Sequence, residues 1–163
     1  MSRFSMAPPR SRGESWSMNN RNGSSLLELA LYIALLTILF SLAAPAFAHA
    51  RDVLAVRAAR DAIVAASARA RSHAVLHGGA TLRVDAAAGT LRITTQDLAV
   101  SELTDVGATL AVRIQLENTQ ATAASLPFDA LGIGRIANRT ITVARGRVTG
   151  GVTFSAYGRP RTW

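Results

Sequence analysis

The 163-residue chain has no cysteine and no lysine, and only 6% of its residues are aromatic. Without cysteine there is no disulfide to staple a fold and no thiolate for metal or nucleophilic chemistry, so any compact part must hold by packing alone. Catalytic patterns are missing as well. There is no Ser/His/Asp order, paired-carboxylate motif or P-loop, and Gly132-Ile133-Gly134 lacks the helix that a dinucleotide fingerprint needs. His73 and His77 have the spacing of a helical metal pair but no third ligand or catalytic Glu nearby, and His49 suits a membrane-interface position. These absences argue against an enzyme, and neither a metal nor another cofactor is expected.

All 18 basic residues are arginine, against 10 acids, for a formal net charge of +8. From Ser24 to Glu117 eight arginines meet eight acids and cancel. From Asn118 to Trp163 six arginines (Arg135, Arg139, Arg145, Arg147, Arg159 and Arg161) meet Asp129 alone, a net of +5. Beyond residue 23, the positive excess therefore belongs to the last 46 residues.

One carboxylate, Glu28, stands at the head of an uncharged run from Leu29 to Ala48. A stretch of roughly 20 apolar residues is long enough to cross a bilayer, and a charge retained beside one usually serves a partner or a function. A second reading is a disposable secretory signal, with Arg10, Arg12 and Arg21 as its basic region, Leu29 to Leu42 as its apolar region and Ala46-Phe47-Ala48 as its cleavage site. A glutamate has no purpose in such a signal, and the helical pattern runs straight through the supposed cut.

That pattern continues past Pro45 with Val53, Val56, Ile63, Val64, Val75 and Leu76 among many alanines, the spacing of a helix with one buried stripe. Nothing stops it before Gly78-Gly79. A helix from Leu26 to His77 would be roughly 75 to 80 Å long at 1.5 Å per residue. Pro45 removes a backbone donor, so local unwinding is expected there. After the glycines the period falls to two. Ala80 to Val84 and Thr90 to Thr94 predict a hairpin, Thr109 to Leu116 a strand, and Asn118 to Ala124 a polar connector. Leu126 to Ala130, Thr140 to Val143 and Val152 to Ala156 predict three further strands. The expected fold is α+β: a long N-terminal α-helix, transmembrane in its first half, packed on one face of an antiparallel β-sheet head.

Gly23, Glu28, the apolar run and Pro45 together resemble the N-terminus of type IV pilins and pseudopilins. The resemblance implies that a prepilin peptidase cuts between Gly23 and Ser24, that the new N-terminus is N-methylated, and that Glu28, as fifth mature residue, neutralises the ammonium of a neighbouring subunit. Family members usually begin with Phe or Met, a pattern from which Ser24 departs. The implied organisation is residues 1–23 as leader peptide, 24–48 as transmembrane and assembly helix, 49–78 as its amphipathic second half and 79–163 as the β-rich head. Met18 offers an alternative start that would leave a compact leader. The implied location is the inner membrane, single-pass with a periplasmic head, and then a filament of other pilins or pseudopilins.

Within that group the head resembles the GspH/FimT family, on Leu126-Pro127-Phe128-Asp129-Ala130-Leu131-Gly132 and on the ending from Val152 to Arg161. Members of that family are minor pseudopilins of type II secretion or minor pilins of type IV pili, and some bind DNA through a C-terminal Gly-Arg-x-Arg. Gly158-Arg159-Pro160-Arg161 matches that tetrapeptide. Two guanidinium forks flanking a proline that keeps the chain extended suit phosphate contact, and Tyr157 and Trp163 offer stacking faces. Arg135, Arg139, Arg145 and Arg147 are secondary candidates if their loops lie beside the tail. The plainer reading is a turn followed by a solvated basic tail. No helix carries the excess charge, so the partner on the first reading is double-stranded DNA held by its backbone rather than by base edges.

Overall fold

The structure, a computed structural model, describes residues 21–117, 121–136 and 138–163. The expected leader therefore lies outside the described residues up to position 20, as do Asn118 to Gln120 in the expected connector. Helix α1 runs from Arg21 to His77, starting ahead of the expected Leu26. Two compact units are distinguished, one up to Leu42 and one from Ala43 to Trp163.

In the first unit the apolar side chains from Leu26 to Leu42 are exposed all round. The hydroxyls of Thr37 and Ser41 donate back to the carbonyls of Ile33 and Ile38, each at 2.8 Å. Internal satisfaction of polar groups is what an apolar surrounding demands of a helix.

The second unit begins within α1, two residues before Pro45. The unwinding expected at Pro45 is absent, and α1 stays helical through it. Proline removes a single donor there, while Ala43, Ala44, Ala46 and Ala48 around it are strong helix formers. Farther on, Ala55, Ala59, Ile63, Ala66, Ala70 and Ala74 form the buried stripe, with Val56 and Ser67 beside it. Val75 and Leu76, expected in that stripe, are 58% and 76% exposed instead. Ala70 and Ala74 already occupy the inward positions of the last turns, and a heptad-like step from them leaves 75 and 76 facing out.

The chain continues as β1 (Gly79–Asp85), β2 (Thr90–Thr95), β3 (Ser101–Asp105), a short α2 (Gly107–Leu110), β4 (Arg113–Leu116), β5 (Ala123–Asp129), β6 (Arg139–Arg145), β7 (Val148–Phe154) and β8 (Pro160–Thr162). These make two four-stranded antiparallel sheets, ordered β3-β2-β1-β5 and β4-β6-β7-β8, where one sheet was expected. Leu82, Val84, Leu91, Ile93, Leu126 and Phe128 from the first and Ile114, Ile141, Val143, Val152 and Phe154 from the second meet the alanine stripe in one core.

The expected β1–β2 hairpin is present, closed by Asp85, whose Oδ1 accepts the Ala87 and Ala88 N–H groups at 3.0 Å each. The strand expected from Thr109 is shortened at its start. Asp105 Oδ1 accepts the Ala108 N–H at 2.8 Å and starts the turn of α2, and Ala111 in the left-handed region (φ 50°) redirects the chain into β4. Two strands lie where the residue pattern predicts none. β3 is an edge strand without a buried residue, and β8 is three residues long and begins with proline.

Polar contacts tie α1 to strands and loops of the head. Glu102 of β3 receives Arg69 and His73 at 3.2 Å each, and Asp97 meets His77 Nδ1 at 3.0 Å. Asp97 is held down to about 2, first by the Thr95 hydroxyl and the Ala99 N–H, against the opposing effect of burial, with a lesser contribution from His77. A carboxyl depressed by folding stabilises the fold above its ordinary value of 3.8 and ceases to do so as pH falls through about 2. Urea unfolding should therefore show Asp97→Asn less stable than the parent at pH 6, with the gap closing as the pH is lowered through that window. A gap that persists unchanged at the acid end would show that the carboxylate charge is not what matters.

Candidate functional site

Two groups of residues came out of the sequence as functional, and they lie in different units. In the first, Gly23 and Ser24 fall in the first turns of α1. Glu28 follows and accepts a hydrogen bond from the Tyr32 hydroxyl at 3.0 Å, one helical turn on. Among the described residues Tyr32 is the hydroxyl that answers this carboxylate.

The second group is the arginines of the last strands and loops, which the fold divides. Arg139 and Arg145 bound β6, and six strand steps put them about 20 Å apart. Arg145 is committed to structure. Its Nε meets Asp52 of α1 at 3.0 Å and its Nη1 donates to the Leu110 carbonyl at 2.6 Å. Arg147 is exposed in the β6–β7 turn at that same far end. Neither lies beside the other candidates.

At the near end the β5–β6 and β7–β8 loops meet. Gly134 N–H donates to the Tyr157 carbonyl at 3.1 Å and Ile136 N–H to the Ala156 carbonyl at 3.3 Å. The approach is so close that a Cβ on Gly134 would stand 2.8 Å from the Gly158 Cα. Gly158 itself is left-handed (φ 75°), which suits glycine at the turn into β8. Arg135, with an 81% exposed side chain, lies 3.7 Å from Asp129, a loose surface pair that leaves its charge largely free. Arg139 is half-buried at the start of β6, its Nε without a hydrogen-bond partner among the described residues.

The Gly-Arg-Pro-Arg segment is not a free tail. Ser155 N–H donates to the Arg159 carbonyl at 3.0 Å, and Arg159 N–H donates to Ser155 Oγ at 3.1 Å. Pro160 to Thr162 then pair with β7, leaving Arg159 and Arg161 exposed. Trp163 exchanges both backbone bonds with Gly151 at 3.2 Å, and its carbonyl accepts from Arg60 of α1 at 2.6 Å. The indole lies on Gly151, where a Cβ would come 2.5 Å from its ring, and donates to Thr153 Oγ1 at 3.3 Å. One face of Trp163 is thus spent on the sheet, while Tyr157 remains 72% exposed.

Sequence reasoning missed Arg71. From α1 its guanidinium lies 5.5 Å from the Phe128 ring centre and donates to the Gly158 carbonyl, and with Arg159 and Tyr157 it lines a cavity of about 460 Å³. Burial first, and then the Arg159 charge, hold it below its ordinary pKa. The available signal was a charged residue wedged beside the alanine stripe, next to Ala70.

Three solved chains match this architecture. The type IV minor pilin FimU of Pseudomonas aeruginosa, in one crystal form, superposes with a TM-score of 0.52 at 17% identity over 66% of this chain and 87% of its own. A second crystal form gives 0.50 at 17% over 66% and 91%. The fold is pilin-like. The minor pseudopilin EpsH from the Type 2 Secretion System of Vibrio cholerae matches at 0.50 and 14% identity over 66% of this chain and 95% of its own. No family model and no curated protein matches the sequence. At these identities the likeness concerns the pilin-like fold itself.

The Gly151 contact yields a test of the tail. Gly151→Ala should push the indole off β7 and loosen β8, read as faster tryptic cleavage after Arg161; an unchanged rate would mean the pairing holds without that contact.

Proposed function

We propose that the chain is a minor pilin or pseudopilin of GspH/FimT type, anchored in the inner membrane and assembled into a type IV pilus or a type II secretion pseudopilus. The observation that carries this reading is the combination of a pilin-like fold with an apolar helix that bears Glu28 as its one carboxylate between Arg21 and Leu42. Residues 1–23 are then the leader, and prepilin peptidase cuts between Gly23 and Ser24. Residues 24–48 hold the subunit in the membrane and later in a filament, and Glu28 pairs there with the ammonium of a neighbour. In a filament core of low dielectric such a pair is far stronger than in water. Residues 49–78 and 79–163 form the periplasmic head and its helix. No catalytic step is assigned to it.

N-terminal sequencing of the protein recovered from membranes tests the route. Ser24 as first residue is expected. A start at His49 or Arg51 would mean removal of a secretory signal and would sink the assignment. Loss of protein secretion or of pilus function in a deletion strain then tells the two machines apart.

A second role is supported by the near-end arginines: the head contacts DNA through phosphates. Arg135, Arg159 and Arg161 are exposed there. In the last 46 residues Asp129 is the one acid to oppose them. Arg145 and Arg147 take no part in this reading, being about 20 Å away along β6. Fluorescence anisotropy of duplex DNA with the full chain in detergent should show affinity falling with salt. The double variant Arg159→Ala/Arg161→Ala should bind more weakly, with the log–log salt slope reduced by about 2. An unchanged slope would remove Arg159 and Arg161 from the contact.

A further inference from the structure

The cavity between the two loops and α1 is lined by Arg71, Gly132, Ile133, Tyr157 and Arg159, and no carboxylate is among these residues. It holds two guanidinium groups, one from α1 and one from the loop between β7 and β8. Among the described residues the charge of Arg71 is answered by one carbonyl, that of Gly158, and by the face of Phe128, while its buried Nε has no partner. Like charges gathered without a counter-ion cost free energy, which a bound anion returns.

The walls are fixed before any ligand arrives. The β5–β6 side is set by Asp129, whose Oδ1 accepts the Leu131 and Ile133 N–H groups at 3.0 and 2.9 Å. Gly132 rests on α1 so closely that a Cβ there would touch Val75 at 3.4 Å. The β7–β8 side is set by Ser155, which binds Arg159 through both its backbone and its hydroxyl. Arg71 is therefore held at its guanidinium and Arg159 at its backbone, so the ordering left to binding is that of the Arg159 side chain.

We propose that this cavity is a binding site for one phosphate group carried by a nucleoside, with Arg71 and Arg159 on the phosphate and Tyr157 and Ile133 against the base or sugar. A phosphate presents three acceptor oxygens and can meet two forks at once, which a carboxylate does less fully. The exposed phenol ring supplies a face on which a base stacks. The site deepens the nucleic-acid reading above, with which it shares Arg159, and adds Arg71 from the helix as the second fork.

Calorimetric titration of the full chain in detergent with thymidine 5′-phosphate, thymidine and inorganic phosphate tests it. The nucleotide should bind more tightly than either part alone. Arg71→Lys, which keeps the charge and removes the fork, should weaken the nucleotide about tenfold or more. Tyr157→Ala alters an exposed side chain and guards against a folding defect in the first variant; it should cost about tenfold for the nucleotide and nothing for inorganic phosphate. Thymidine binding as tightly as its phosphate, or affinity indifferent to Arg71→Lys, would overturn the proposal. So would inorganic phosphate matching the nucleotide, which would make the cavity a simple anion site. Duplex DNA binding without nucleotide binding would remove the cavity and leave the DNA role. Nucleotide binding without duplex binding would do the reverse.

Discussion

A stripe of alanines on one helix is the constraint from which the head follows. Ala55, Ala59, Ala66, Ala70 and Ala74 have almost no side chain to hold the backbone of α1 away from the strands, so both sheets can close on it with Ile63 filling the middle. A close-packed interior tolerates little change in volume, and a stripe this thin leaves few methyl groups with which to compensate. With no disulfide available, that contact and the pairing of eight strands carry the fold. The same closeness lets short or glycine-rich segments reach the helix. Gly150 sits against Val56 and Arg60, and Gly132 sits against Val75 and the Arg71 carbonyl.

The polar contacts of α1 do a different job from the alanines. Asp52, Arg60 and His77 each reach a different strand end or loop, and Arg69 and His73 share Glu102 of β3, so the contacts are spaced along the helix. Several of these pairs are exposed, where an ion pair adds at most about 1 kcal/mol. Their value is in fixing which loop lies beside which turn of the helix, something an alanine surface specifies poorly.

Much of this was legible in the residues. The switch from a helical period to a period of two at Gly78-Gly79 marks the boundary between α1 and β1, and the β1–β2 hairpin is where alternation put it; β5, β6 and β7 overlap the expected strands, but β5 starts at Ala123 and β7 at Val148, ahead of Leu126 and Val152. What could not be read shares one cause. β3 has no buried side chain, so its alternation carries no hydrophobic signal, and β8 owes its place to pairing with β7 rather than to its own residues. The division into two sheets is likewise a matter of tertiary pairing. The candidate site was half legible. Charge counting finds the arginine-rich end, but it does not separate Arg145, spent on Asp52, from Arg159, whose side chain is exposed, nor does it bring Arg71 from the helix to the same cavity.

The bond from Tyr32 to Glu28 has a consequence for any membrane passage. A carboxylate stripped of water and left alone would neutralise or drag solvent with it, because an unpaired charge in hydrocarbon is far costlier than a paired one. A phenol four residues away on the same helix travels with it and keeps one acceptor oxygen occupied. On the proposed pairing, the ammonium of a neighbouring subunit would meet a carboxylate already held by one donor and still offering acceptor sites on both oxygens, so the two bonds add rather than compete.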